Sequence, residues 1–103
     1  MKILGIGVDI VENKRIQKSI KNPLFKKRIY SFKELKQSNA VSNKVAFFSK
    51  RFAAKESFAK ALGTGFRDNL NFKDIEVLNN KLGKPYYLIN NKISQLIIKK
   101  KKN

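Results

Sequence analysis

Residues 45–65, VAFFSKRFAAKESFAKALGTG, carry the longest helical pattern of the chain. Apolar residues recur there every three or four positions, and no proline or glycine interrupts them before Gly63. A glycine just after the last apolar residue is a common C-terminal signal of a helix. The stretch therefore predicts a helix over residues 45–62. Its wide apolar arc predicts that this helix is buried and organises the core.

Shorter elements are predicted on both sides of this helix. Ser31 and Glu34 have the spacing of a capping box, which marks the start of a helix. The Asn22-Pro23 pair ends the segment before it. The full set is a strand over residues 2–11, helices over 12–21, 24–30 and 32–38, and a hairpin of strands over 72–78 and 86–89.

The order of these elements is typical of an α+β fold. We expect an antiparallel sheet packed on the long buried helix, in a single domain of residues 1–98. Residues 93–98 are apolar without a decisive period, and residues 99–103 predict a basic, disordered tail. A chain of 103 residues has room for one core of modest size.

Composition excludes several classes of chemistry. The chain has no cysteine and no histidine, which excludes disulfides, thiolate zinc sites, cysteine nucleophiles and Ser-His-Asp triads. A net charge of +17 favours an acidic partner, nucleic acid among them. The 20 lysines, 11 asparagines and 11 isoleucines all have A/T-rich codons, however, so part of this charge reflects base composition.

The apolar N-terminus is too short for a membrane segment. No stretch of the chain approaches the ~20 apolar residues of a membrane span. Asp9 interrupts the first apolar run, and no small-residue cleavage site follows it. The sequence therefore predicts a soluble, cytoplasmic protein with no membrane contact.

Two carboxylates stand out against the basic background. Asp9 lies in the predicted first strand, and Glu56 lies on the apolar arc of the long helix. A charge on an apolar arc is costly unless it is paired or bound to a metal. Lys60 follows Glu56 by four residues, so a helical ion pair is the simpler interpretation; a shared metal site is the alternative.

Basic residues gather on the same helix and the glycine turn after it. Glycines let backbone N–H groups approach a phosphate, and lysines supply charge. With two carboxylates, this set fits Mg²⁺-assisted phosphoryl chemistry. A helix end with a solvated basic face explains the residues equally well. The basic residues are Lys50, Arg51, Lys55, Lys60 and Arg67.

Four ordered motifs resemble the bacterial holo-[acyl-carrier-protein] synthases, a family of 4′-phosphopantetheinyl transferases. They are GIGVDIVE at residues 5–12 with Arg15-Ile16, the helix RFAAKESFAKALGTG at 51–65, FKDIEV at 72–77 and GKPY at 83–86. The resemblance covers residues 3–98. It implies the 4′-phosphopantetheinyl transferase fold and transfer of phosphopantetheine from coenzyme A to a serine of apo acyl carrier protein, for fatty acid and lipid synthesis.

The resemblance also implies roles for individual residues. Asp9 and Glu56 would hold Mg²⁺. Lys60 would stabilise or protonate the leaving group at the pyrophosphate, and Glu34 would help to activate the serine. The coenzyme A site would be lined by Lys55, Gly63 and Pro85, with Arg51 at its phosphate-rich edge.

A docking surface and an assembly follow from the same resemblance. The acidic carrier protein would dock on Arg15, Phe25 and Arg28, with an attraction that weakens as salt rises. Lys18 and Lys21 add charge nearby, although a solvated helix face explains them individually. Family members form trimers with active sites at subunit interfaces, so a homotrimer is expected.

The C-terminus departs from the family pattern. The family continues past the position of Ile98 with a segment of the form His-Val-Ser-Ile-Ser/Thr-His and a further strand, whereas this chain ends in KKKKN. The sequence therefore predicts a truncated member, with an exposed sheet edge. The alternative is a catalytically impaired relic that only binds carrier protein or coenzyme A. A nucleic-acid-binding module is disfavoured, because the charges are dispersed and no aromatic stacking motif is present.

Overall fold

The computed structural model describes residues 10–63, 65, 66 and 69–102. Within these residues the fold is α+β, with five α-helices and one two-stranded antiparallel sheet. The helices are α1 (Ile10–Ser19), α2 (Pro23–Ile29), α3 (Phe32–Ser38), α4 (Lys44–Leu62) and α5 (Asn91–Lys102). A single 3₁₀ turn (Phe72–Asp74) precedes the hairpin of β1 (Glu76–Asn79) and β2 (Pro85–Leu88).

The helix boundaries follow from local capping. The Oδ1 atom of Asn22 accepts from the backbone N–H of Leu24 at 2.9 Å, at the start of α2. Asn43 caps α4 in the same way, through the N–H of Ala46 at 3.0 Å. At its other end, α4 stops at Gly63, whose φ of 82° is left-handed and suits a residue without Cβ. The long helix predicted from the sequence is confirmed.

The predicted capping box of α3 is also confirmed. The N–H of Ser31 donates to Glu34 Oε1 at 2.9 Å, and the N–H of Glu34 donates to Ser31 Oγ at 3.2 Å. Two N–H groups that the helix leaves without a partner are thereby satisfied.

Three boundaries differ from the sequence prediction. Residues 10 and 11, predicted at the end of a strand, open α1; the rest of that strand lies outside the described residues. The strand predicted from residue 72 begins at Glu76, because Asp74 Oδ2 accepts from the N–H of Asn71 at 2.8 Å and closes a 3₁₀ turn. Residues 99–102, predicted as a disordered tail, continue α5, since lysine has good helix propensity and Ile93 anchors the first turn in the core.

Among the described residues, the core consists of two apolar clusters along α4. The first half of α4 contributes Phe47, Phe48 and Phe52 to a cluster with residues of α1 and α2. The second half contributes Phe58 and Ala59 to a cluster that includes the start of α5 and the segment before the hairpin. This double burial confirms that α4 organises the core. None of the helices in the described residues is both long and apolar enough to cross a membrane.

Candidate functional site

A buried ion pair lies at the middle of α4. The Nζ atom of Lys55 is 2.6 Å from Glu34 Oε1, and both side chains are 0% exposed. Lys55 also donates to the carbonyl oxygen of Phe72 at 2.9 Å and to that of Ile75. All three N–H bonds of the ammonium are therefore used, which offsets the desolvation of a buried charge.

The carboxylate of Glu34 is equally well satisfied. Its Oε1 atom accepts from Ser31 N–H as well as from Lys55, and its Oε2 atom accepts from the N–H of Val77 at 3.1 Å. Burial lowers the pKa of the Lys55 ammonium, while the Glu34 charge and hydrogen bond act in the opposite direction. The pair joins α3, α4, the 3₁₀ turn and β1.

Arg51 is bound to the hairpin one turn before Lys55. Its Nε atom donates to the carbonyl oxygen of Val77 at 3.0 Å, and a terminal nitrogen donates to Asn79 Oδ1 at 3.0 Å. Its guanidinium carbon lies 3.6 Å from the ring centroid of Phe47. Burial lowers the pKa of Arg51 to about 10, with Glu34 and Tyr30 acting against that shift.

These contacts bear on the interpretation that the basic residues of α4 form a solvated face. Arg51 and Lys55 are buried, and only Lys50 and Lys60 of the four basic residues on α4 named above are exposed. The solvated-face interpretation is therefore wrong for the two buried cations. Their proposed contacts with coenzyme A, and the part of Glu34 in activating a serine, stay predictions.

Glu56 and Lys60 occupy a different side of α4. Glu56 follows Lys55 and is half-buried, and Lys60 is exposed one turn further on. Asp9 lies outside the described residues, so its predicted convergence with Glu56 stays a prediction. The described part of the chain has no group of three or more acidic side chains that could hold a metal by themselves. A Mg²⁺ ion held by one or two carboxylates, substrate phosphates and water does not require such a group.

A cleft of about 520 Å³ lies between the start of α4 and the hairpin turn. Two of the residues predicted to line the coenzyme A site, Arg51 and Pro85, share this cleft with Lys50, Asn79 and Gly83. The two other predicted residues do not line it: Lys55 is buried, and Gly63 lies twelve residues beyond Arg51. At the rise of an α-helix this is about 18 Å along the axis, so one ligand touching both ends has to extend along α4.

The predicted docking residues lie on α1 and α2. Arg15 and Arg28 are exposed, whereas Phe25 is half-buried and packs against the first core cluster. The guanidinium of Arg15 lies 5.1 Å from the ring centroid of Phe52, close enough for a cation–π contact. The ring of Phe52 in turn stacks on Phe72 at 5.0 Å. The exposed Arg15 therefore stands on an aromatic base formed by Phe52 and Phe72.

Comparison with known proteins assigns the family. A family model described as the 4′-phosphopantetheinyl transferase superfamily matches residues 5–102. The chain belongs to this superfamily. A holo-[acyl-carrier-protein] synthase of Pelagibacter ubique (strain HTCC1062) is 60% identical over 100 residues, covering 97% of this transferase and 78% of the relative. A protein of the same name from Fusobacterium nucleatum is 42% identical over 101 residues, covering 98% and 82%.

Solved structures agree with the fold of this transferase. The crystal structure of holo-[acyl-carrier-protein] synthase from Neisseria meningitidis has a TM-score of 0.78 and 38% identity, over 97% of this chain and 82% of that one. A holo-(acyl-carrier-protein) synthase from Bacillus anthracis, in complex with CoA (3′,5′-ADP), has a TM-score of 0.63 and 38% identity, over 84% and 75%.

Sequence reasoning missed the amides of this transferase that organise the hairpin. Gln37 and Asn79 are bound to each other by two hydrogen bonds, and Asn79 lines the cleft. The only local signal was the placement of Gln37 three residues after Glu34, which puts both on one face of α3. The hydrogen-bond partners of Glu34 and Gln37 on β1 lie more than forty residues away in the chain.

Proposed function

We propose that this chain is a holo-[acyl-carrier-protein] synthase, which transfers 4′-phosphopantetheine from coenzyme A to a serine of apo acyl carrier protein. The observation that carries the proposal is 60% identity with a holo-[acyl-carrier-protein] synthase over 97% of the chain. The complex of the Bacillus anthracis relative with CoA (3′,5′-ADP) supports coenzyme A as the donor. The serine oxygen forms a bond to the phosphorus that bears pantetheine, the bond from that phosphorus to the bridging pyrophosphate oxygen breaks, and adenosine 3′,5′-bisphosphate leaves with that oxygen.

The reaction asks little covalent chemistry of the enzyme. The nucleophile belongs to the partner, so the chain needs no cysteine or histidine of its own, and it has neither. Its task is to position two substrates and to neutralise charge at a pyrophosphate. Lys60 suits this task because it is exposed and projects from the same helix as Glu56. We assign it to the leaving pyrophosphate oxygen.

Mg²⁺ is part of the proposal. The half-buried carboxylate of Glu56 is a hard oxygen ligand of the kind that Mg²⁺ prefers, and Asp9 would be the second. When bound, the ion neutralises phosphate charge. The adjacent Lys55, which makes three hydrogen bonds, anchors this turn of α4.

Glu34 and Lys55 serve the reaction indirectly in this proposal. Each is 0% exposed and satisfies the other's charge, so contact with a substrate would require the pair to separate. The pair joins α4, the helix that also carries Glu56 and Lys60, to α3 and β1, which supports a role in fixing that helix. The cleft at Arg51 and Pro85 is assigned to the phosphate-rich end of coenzyme A, because Lys50 adds an exposed cation there, and Gly63 is assigned to the opposite end of the ligand.

The partner, the assembly and the cellular compartment are also part of the proposal. The acidic carrier protein docks on Arg15, Phe25 and Arg28, beside the aromatic base of Phe52. The assembly is a homotrimer with active sites at subunit interfaces, and the protein acts in the cytoplasm in fatty acid and lipid synthesis.

Glu56→Gln tests the metal-assisted transfer. Apo acyl carrier protein, coenzyme A and the chain are incubated with Mg²⁺, and modified carrier protein is quantified by intact mass. We expect the wild-type chain to add one phosphopantetheine and Glu56→Gln to be slower by on the order of 100-fold or more, since a ligand of the ion is lost.

The matched control is Glu76→Gln, the same change at a half-buried carboxylate on β1. It should keep the wild-type rate. Circular dichroism verifies that both variants are folded. Absence of transfer by the wild-type chain would overturn the proposed function, whereas a wild-type rate in Glu56→Gln would overturn the metal assignment.

A further inference from the structure

The outer edge of β1 is occupied by side chains. β1 pairs with β2 in the register Val77 to Tyr87 and Asn79 to Pro85. The backbone N–H groups of Val77 and Asn79 donate to side chains of α3, and the carbonyl oxygens of the same two residues accept from side chains of α3 and α4. These four polar groups would otherwise form an unpaired strand edge.

Gln37 occupies half of this edge alone. Its Nε2 atom donates to the carbonyl oxygen of Asn79 at 3.0 Å, and its Oε1 atom accepts from the N–H of Asn79 at 2.8 Å. The side-chain amide thereby imitates the peptide group of a neighbouring strand. One residue of the hairpin is held at both its donor and its acceptor.

Asn79 transmits this constraint to the cleft. Its side-chain oxygen accepts from Arg51, and the residue itself lines the cleft. The next residue, Asn80, organises the turn: its Oδ1 atom accepts from the N–H groups of Leu82 and Lys84, each at 2.9 Å. The turn then delivers Gly83 and Pro85 to the cleft wall.

We infer that Gln37 is a positioning residue for the coenzyme A cleft. By holding the backbone of Asn79, it fixes both the acceptor that orients Arg51 and the start of the turn that forms the opposite wall. Gln37 itself does not line the cleft, so it acts through Asn79. The inference rests on the proposed function in taking coenzyme A as the occupant.

The two hydrogen bonds from Gln37 to the backbone of Asn79 form a clamp. This clamp favours binding of coenzyme A, because a cleft that is already formed does not have to be ordered when the ligand binds. Without it, the turn samples other positions, and the apparent dissociation constant rises by the inverse of the fraction that remains competent. A competent fraction of roughly 10–20% corresponds to a loss of about fivefold to tenfold.

Gln37→Met is the test variant, because methionine keeps the length of the side chain and removes both hydrogen bonds. Gln95→Met, the same change at an exposed position of α5, is the matched control. Coenzyme A binding is measured by calorimetry, and the KM values for coenzyme A and for carrier protein are measured separately. Hydrogen exchange at the Asn79 amide reports the clamp without reference to activity.

The expected result is a dissociation constant and KM for coenzyme A about fivefold to tenfold higher in Gln37→Met. The kcat and the KM for carrier protein should stay within about twofold of wild type, and exchange at Asn79 should be faster. A second variant, Gln37→Glu, keeps the acceptor for the Asn79 N–H and loses the donor. Measured at high salt, where added charge is screened, it should weaken coenzyme A binding by an intermediate factor.

The outcomes separate the inference from the proposed function. Wild-type coenzyme A affinity in both Gln37 variants, or equal rises in the KM for both substrates, would overturn the positioning role while leaving the transfer activity in place. If the wild-type chain binds coenzyme A but does not transfer phosphopantetheine, the proposed function fails. Weaker binding in Gln37→Met would then still support the role of Gln37.

Discussion

Lys55→Met removes one half of the buried ion pair and should strongly destabilise the fold. The carboxylate of Glu34 remains buried with only backbone N–H donors, and the carbonyl oxygens of Phe72 and Ile75 lose their shared donor. Removing one partner of a buried pair typically costs about 3–5 kcal/mol, out of the ~5–15 kcal/mol that stabilise a small domain. At ~4 °C or more for each kcal/mol in a domain of this size, the melting temperature should fall by at least ~12 °C.

A double-mutant cycle separates the charge from the packing. Urea unfolding is followed by circular dichroism for wild type, Lys55→Met, Glu34→Gln and the double variant. The double variant leaves no uncompensated charge, so it should be about 2 kcal/mol more stable than the sum of the single losses predicts. Additivity within ~0.5 kcal/mol would refute the reasoning, because it would mean that the two groups do not interact.

Two further predictions concern charged side chains near the surface. Arg15→Glu should weaken carrier-protein binding at least tenfold at low salt and change coenzyme A binding less than twofold, with the difference shrinking as salt rises. Both affinities are measured by calorimetry. A loss of both affinities, or an equal loss of carrier-protein affinity in Lys99→Glu on α5, would contradict a separate docking surface. Burial alone would raise the pKa of Asp74, but hydrogen bonds from Lys92 and Asn71 lower it by a larger amount. The net pKa of Asp74 is therefore below the usual value. The stability that Asp74 contributes is therefore present above about pH 4 and is lost as pH falls through the lowered pKa. Asp74→Asn should be less stable than wild type by up to about 1 kcal/mol at pH 6, and this difference in stability should disappear in acid. A difference that does not depend on pH would contradict the prediction.

The sequence predicted those parts of the fold that local signals decide. The capping box at Ser31 and the glycine after Leu62 placed the limits of α3 and α4 to within one residue. The alternation over residues 72–78 was a weaker guide, because Asp74 there closes a 3₁₀ turn and binds Lys92 of α5 at 2.7 Å. That contact spans 18 residues, and no local pattern contains it.

The candidate site shows the same division. The predicted cations of α4 were found from composition and motif, but their burial was not, since lysine and arginine are rarely buried without a partner. The partner of Lys55 is 21 residues away and that of Arg51 is 26 residues away. A helical projection held one usable signal: Arg51, Lys55 and Phe58 share a face of α4.

The side chains that bind the outer edge of β1 have a consequence for the order of folding. Two strands of four residues form a hairpin that is marginal in isolation, and here its outer edge is completed by groups that lie 26 to 43 residues earlier in the chain. Contacts over such distances form only after the entropic cost of loop closure has been met, whereas helix hydrogen bonds are local. The hairpin is therefore expected to become stable only after α3 and α4 have docked, so that strand pairing and closure of the cleft wall occur in one late, cooperative step.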